Sequence, residues 1–196
     1  LIVTDMPFMS YQASPEQALL NCGRVLKETK AQAVKLEGGS EMVATIRALT
    51  RVGIPVMGHL GLQPQSIHAL GGYRIRGKSD DDIGFLTQTA LQLEEAGAFS
   101  LVLECVTAEA ALSVTRVLSI PTIGIAAGPH CDGQVLVLHD MLNLNPDEQL
   151  KHAKIYADLS SSINGAVQSY IQEVRSGALP GEAQTTRRAS LKMGSS

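Results

Sequence analysis

Six short apolar runs lie along this chain, most of them ending in a polar or small residue and followed by residues that start helices. The runs are residues 1–5, 33–37, 54–59, 100–104, 120–125 and 134–139. Several are apolar at almost every position. A strand of that kind is buried on both faces, which is the environment of a parallel sheet covered by helices. The helix signals are specific. Ser14 precedes Pro15-Glu16-Gln17, an N-cap with proline at the first helical position and a capping-box glutamine, predicting a helix to about Lys30. Gly38-Gly39 and Ser40-Glu41 open a helix that ends at Gly53. Ser79 leads Asp80-Asp81-Asp82 into a helix stopping near Gly97, with three acidic groups at the positive end of its dipole. Thr107 caps the next helix. Residues 146–175 read as helical, in two pieces with a break near Asn164-Gly165, and a polar tail follows.

Two folds suit six strands alternating with helices: a (β/α)8 TIM barrel short of two strands, or an open doubly wound sheet. The polar residues favour the barrel. Asp5, Glu37, His59 and Glu104 all fall at the C-terminal ends of strands. In a barrel those ends converge on one site, whereas an open sheet spreads them along an edge. The chain has 196 residues, short of the roughly 250 of a complete barrel. It opens on Leu1-Ile2-Val3-Thr4-Asp5, which reads as the interior of a strand and hence as a cut. The expectation is a partial barrel over residues 1–181, followed by a disordered tail over 182–196.

Composition removes several classes of function. A net charge of −3 leaves no basic field for nucleic acid. No apolar run approaches the ~18 residues of a membrane span. Three scattered cysteines without a CxxC pair read as reduced thiols, not as a zinc site. No signal or transit peptide is visible, and the default location is cytoplasmic. With no tryptophan and 4% aromatics, the core must be aliphatic.

Lys35 and Glu37 stand two apart on one strand and share a face. They are either site residues or a rim ion pair. Glu104 ends a strongly apolar strand, where a carboxylate is costly unless it is paired or used. Burial would raise its pKa and suit it to general-base work near neutrality. A helix-capping or salt-bridged glutamate is the alternative. Asp5 before Met6-Pro7 could join Glu37 in holding a hard cation such as Mg2+, or could simply form a turn. His59 would bind substrate, orient a neighbour, or be a satisfied half-buried histidine. His130, Cys131, Asp132 and His139 fit no zinc spacing, and Asp132-Gly133 reads as a turn. Gly124-Ile125-Ala126-Ala127-Gly128 lacks the ending of a P-loop and reads as close packing. Arg187-Arg188-Ala189-Ser190 reads as a solvated basic tail. From pattern alone, this is a Mg2+-assisted barrel enzyme acting on a small anionic carbonyl compound through an enolate-like intermediate, its substrate unnamed.

The segments around these residues are more specific than the residues themselves. Asp5-Met6-Pro7-Phe8-Met9-Ser10-Tyr11, Val34-Lys35-Leu36-Glu37-Gly38-Gly39 and Gly58-His59-Leu60-Gly61-Leu62 with Gln63-Pro64-Gln65-Ser66 come first. Gly71-Gly72-Tyr73, Leu103-Glu104-Cys105-Val106, Asp132-Gly133-Gln134 and His139-Asp140 follow in order. Together, from Leu1 to about Gly181, they resemble the ketopantoate hydroxymethyltransferase family.

The resemblance implies a barrel of the phosphoenolpyruvate/pyruvate type that transfers a hydroxymethyl group from 5,10-methylenetetrahydrofolate to 3-methyl-2-oxobutanoate. It implies that Asp5 binds Mg2+ and substrate, that Lys35 holds the substrate carboxylate, and that Glu37 serves the metal. Glu104 would take the proton from C3 of the keto acid, and His59 would line the site. A large homo-oligomer, a decamer, is implied as well. Two departures stand out. The family's first two strands, with a G-D-S segment carrying a further metal-binding Asp and a substrate-binding Ser, have no counterpart here. Ala126 also stands where the family usually has Gly. Two other readings compete: an inactive remnant kept for subunit interaction, and a C–C lyase or mutase of the same superfamily.

Overall fold

The computed structural model describes residues 1–70, 72, 74–147, 150 and 152–187. Two compact units divide the chain, Leu1–Leu136 and Val137–Ser196.

The first unit is built on one parallel sheet. In chain order it holds β1 (Val3–Asp5), α1 (Pro15–Glu28), β2 (Ala33–Glu37), α2 (Val43–Arg51), β3 (Val56–Gly61) and α3 (Ile67–Leu70). It continues with α4 (Asp80–Glu95), β4 (Ser100–Glu104), α5 (Ala108–Val117), β5 (Thr122–Ile125) and β6 (Gly133–Gln134). The strands lie in sequential order, β1 to β6, and every neighbouring pair is parallel. This is an open part of an α/β barrel, as the strand–helix alternation predicted.

The caps work as their residue types require. Ser14 Oγ accepts the N–H of Gln17 at 3.2 Å, Ser79 Oγ that of Asp82 at 3.3 Å, and Thr107 Oγ1 that of Ala110 at 3.3 Å. Pro55 and Pro121 stand just before β3 and β5. Each lacks a donor, yet its carbonyl still joins the ladder, accepting from Val34 at 3.1 Å and Leu101 at 3.0 Å.

One side of the sheet packs on the helices. Val34, Leu36, Ile46, Leu49, Val56, Leu93, Leu101 and Leu103 are fully buried there, each contributing roughly 1.5–3 kcal/mol by leaving water. The core is aliphatic, as the composition required. Alternation along each strand sends the other residues to the opposite face. The pairings Asp5↔Lys35, Glu37↔His59 and Gly61↔Glu104 put titratable residues of four strands on that second face.

Three elements differ from expectation. Residues 134–139 do not form a strand. Pairing covers Gly133–Gln134, Val135 N–H adds one bond to Gly124 O at 3.0 Å, and the chain then turns into α6 (Leu138–Met141). A short apolar run is ambiguous between strand and helix, and here the edge holds it only at its start. In the second unit the predicted break at Asn164-Gly165 is absent: α7 (Leu159–Ser176) runs straight through. Gly165 costs about 1 kcal/mol of helix propensity, which weakens a helix without ending it. The helix begins at the Asp158 cap, where Asp158 Oδ1 accepts from Ser161 N–H at 3.2 Å, and not near Pro146. The predicted long loop after β3 contains a 3-10 turn, Pro64–Ser66, and α3. Glycine 71 and tyrosine 73 of that loop lie outside the described residues, as do residues 188–196 of the tail, including the Arg188-Ala189-Ser190 part of the basic stretch. Among the described residues, no helix is long and apolar enough to cross a membrane.

Candidate active site

The five residues singled out in the sequence meet along the strand ends. Lys35 Nζ donates to Asp5 Oδ2 at 2.7 Å and reaches Glu37 Oε1 at 3.5 Å. His59 lies next in line. Its Nδ1 is 3.9 Å from Glu37 Oε1 and its Nε2 is 3.3 Å from Glu104 Oε2. A continuous row therefore runs Asp5–Lys35–Glu37–His59–Glu104 over β1 to β4, with one cation among three carboxylates.

Burial sets the charge states. The Glu37 and His59 side chains are 4% and 1% exposed, and Glu104 is 20% exposed. Burial pushes the Glu104 pKa up to about 7, against the pull of the Lys35 ammonium and with help from the Glu37 and Asp5 charges. Burial also raises Glu37, opposed by the Gln65 N–H and by Lys35. The same desolvation, with Lys35 nearby, lowers His59 to about 3, so its ring is neutral. Both ring nitrogens are buried without an aligned hydrogen-bond partner among the described residues. The close approaches to Glu37 and Glu104 are therefore contacts of a neutral imidazole, not ion pairs.

The backbone holds Glu104 on both sides. Gly61 takes φ +99°, and a Cβ there would lie 2.1 Å from Glu104 O. With glycine, the chain passes close enough for Leu62 N–H to donate to that oxygen at 2.8 Å. Cys105, just beyond, has φ 50°. It is tied by its N–H to Ile125 O and by its carbonyl to Arg76 N–H, both at 3.0 Å. Arg76 is itself anchored by two-pronged bonding to Asp82. Burial, with the Glu104 charge beside it, raises the Cys105 thiol pKa and so disfavours the reactive thiolate.

Other motifs resolve into structure. Asp132 Oδ2 accepts from Thr122 N–H at 2.8 Å and lies 3.0 Å from Thr122 Oγ1, so it braces β5. The Gly124–Gly128 segment packs closely: a Cβ at Gly128 would sit 2.7 Å from Ala108 Cβ. Ala126 holds φ 51°. Sequence reasoning gave no role to Tyr11, Gln65 or Arg76. The first two lay inside quoted motifs, and only the fold shows that they bond to Glu37 and its backbone.

Residues 1–182 match the model of the family described as ketopantoate hydroxymethyltransferase. A curated 3-methyl-2-oxobutanoate hydroxymethyltransferase of Pelobacter propionicus is 56% identical over 182 residues, covering 93% of this chain and 67% of the relative. One from Geobacter sulfurreducens is 52% identical over 185 residues, covering 94% of this chain and 69% of the relative. The chain thus spans about two thirds of the length of these relatives. A solved structure from Burkholderia cenocepacia J2315, a phosphonomutase candidate, superposes with a TM-score of 0.50 at 14% identity, covering 89% of this chain and 68% of that one. That likeness bears on the fold alone.

Proposed function

The chain belongs to the ketopantoate hydroxymethyltransferase family, and from that membership we propose that it transfers a hydroxymethyl group from 5,10-methylenetetrahydrofolate to 3-methyl-2-oxobutanoate, giving ketopantoate for pantothenate synthesis. The observation that carries the reading is the Glu104 carboxyl, buried at a strand end with a pKa of about 7, in line with the Lys35 ammonium. Family membership tells against the lyase or mutase reading.

The residues divide the work by chemistry. Lys35 is the one cation of the row and receives the substrate carboxylate; its bonds to Asp5 and Glu37 keep it aimed along the strand ends. Glu104 takes the proton from C3 of the keto acid. A base poised near the working pH combines a sufficient ionised fraction with a strong enough affinity for the proton. The enolate so formed bonds to the one-carbon unit of the folate, water supplies the hydroxyl, and both C–N bonds to that carbon break, the two nitrogens taking up the C3 proton and the second proton of water as tetrahydrofolate leaves. His59 lines the wall between Glu37 and Glu104. As a neutral ring it adds no positive charge to draw the Glu104 proton away.

Mg2+ suits the donor set. Asp5 and Glu37 present hard oxygens that already converge on one cation, the Lys35 ammonium, at 2.7 and 3.5 Å. Among the described residues no three acidic, His or Cys side chains form a metal cluster. Mg2+ commonly takes only one or two carboxylates, the rest being water and substrate oxygens. Asp5 and Glu37 would hold it, and when bound it would act as a Lewis acid on the keto group.

A cytoplasmic, homo-oligomeric enzyme, a decamer by resemblance, completes the proposal. The exposed apolar stripe Ile163, Val167, Tyr170 and Val174 on α7 supports self-association.

The test is Mg2+- and folate-dependent ketopantoate formation by the protein that carries this chain, alongside Glu104→Gln. Turnover that collapses in the variant supports the reading. Turnover that is unaffected removes Glu104 as the base, and no turnover in the unaltered protein leaves the inactive-remnant reading standing.

A further inference from the structure

The pairing of β1 with β2 ends at Asp5↔Lys35, with Met6 N–H donating to Lys35 O at 3.1 Å. One step further, side chains take over from the ladder. Glu37 N–H donates to the Tyr11 hydroxyl at 3.0 Å, and Met6 O accepts from Gln65 Nε2 at 2.8 Å. Tyr11 is wholly buried. Its single O–H proton faces two acceptors, Gln65 Oε1 at 3.0 Å and Glu37 O at 3.2 Å. Gln12 Nε2 also donates to Gln65 Oε1 at 3.0 Å. The Gln65 side chain is thus held through both its oxygen and its nitrogen. With the side chain fixed, the Gln65 main-chain N–H is aimed at Glu37 Oε2, 3.0 Å away.

The consequence falls on Glu37. Its Oε2 is tied to Gln65, while Oε1 alone faces Lys35 and His59. We propose that Tyr11 and Gln65 are positioning residues: they clamp one oxygen of the Glu37 carboxylate so that the other is presented, in one orientation, to the cation of the site. The inference rests on the metal role proposed for Glu37 above. Three sequence blocks that lie far apart, around Tyr11, Glu37 and Gln65, thereby act as one unit. Partners that orient a metal ligand typically matter by about 10- to 100-fold in affinity or activity.

The experiment uses the protein that carries this chain and measures Mg2+ affinity by calorimetry without substrate, together with kcat, KM and melting temperature. Tyr11→Phe keeps the ring and removes the hydroxyl. Affinity for Mg2+ is expected to fall about 10-fold and kcat with it. In a Glu37→Gln background the same change is expected to have no further effect on Mg2+ affinity, because both act through one carboxylate. A packing role would lower the melting temperature and leave Mg2+ affinity and kcat of the folded protein unchanged, and that result overturns the proposal. Gln65 is only half-buried, so Gln65→Leu decides the matter if Tyr11→Phe does not fold. An equal loss in Mg2+ affinity supports the clamp, and no loss overturns it. The unaltered protein separates the two ideas. If it binds Mg2+ and forms ketopantoate while the variants match it, only the clamp fails. If it binds no Mg2+, the metal role of Glu37 fails and the clamp with it.

Discussion

His59 Nε2 lies 3.3 Å from Glu104 Oε2, and burial drives the two residues' pKa values toward opposite ends of their ranges, about 3 for the histidine and about 7 for the glutamate. Desolvation disfavours whichever form is charged, so both groups lean toward neutrality. The pair can carry one negative charge when Glu104 ionises but resists carrying a positive one. That suits the role proposed for Glu104, accepting a proton from carbon.

The rate should therefore rise with pH through about 7, as Glu104 becomes the free base. Glu104→Gln is expected to lower kcat by ~10²–10⁴, the usual worth of a general base. Stability should move the other way. The folded pKa lies above the ordinary value of 4.5, so the folded state binds the proton more tightly and loses stability as pH climbs from 4.5 through about 7. Above that range the penalty is at most ~3 kcal/mol, by the free-energy equivalent of a pKa shift. Glu104→Gln should melt higher than the unaltered protein at pH ~8 and match it near pH ~4, by the same linkage. Thermal melts across pH check this, and parallel curves for the two proteins would contradict it.

Lys35→Met should raise KM for the keto acid, because the cation proposed to meet its carboxylate is gone. A charge-assisted hydrogen bond of ~1.5–3 kcal/mol corresponds to a loss of about 10- to 100-fold in kcat/KM. Lys35 also holds the Glu104 pKa down. The acid limb of the rate profile should accordingly shift to higher pH in the variant. Steady-state kinetics over pH measure both effects together.

Gly61→Ala should damage the site from behind. The new Cβ would lie 2.1 Å from Glu104 O and 2.8 Å from Val106 Cγ1, at a φ of +99°. Backbone strain of this type costs ~1–3 kcal/mol, and the contact with a main-chain oxygen cannot be relieved by rotating a side chain. A lower melting temperature with a reduced kcat is expected. Gly84→Ala, where a Cβ meets nothing within 4 Å, serves as the control and should be neutral or better.

Ala126→Gly should stabilise the protein. Ala126 sits at φ 51°, a left-handed conformation that costs an L-residue about 1–2 kcal/mol and glycine almost nothing. Part of the gain is offset by the greater freedom of glycine in the unfolded chain. A net gain of about 0.5–1 kcal/mol in chemical denaturation is expected.

Much of this was legible along the chain. Strand–helix alternation and the caps at Ser14, Ser79 and Thr107 are local signals, and burial on both faces writes itself into continuous apolar strands. The strand ends at Glu37 and Glu104 coincide with those read from sequence. The spacing of Lys35 and Glu37 placed them on one face because the period of a strand is two. The motifs then identified the family. Tertiary structure decided the rest. Whether residues 134–139 stay in the sheet depends on the edge they meet, and not on their own propensity. The Glu104 pKa near 7 and the neutral His59 come from packing that removes water. The clamp on Glu37 joins residues up to 59 positions apart, Met6 to Gln65. Local patterning fixes which elements form and which way their side chains alternate. Distances, desolvation and hydrogen-bond partners arise only when those elements are brought together.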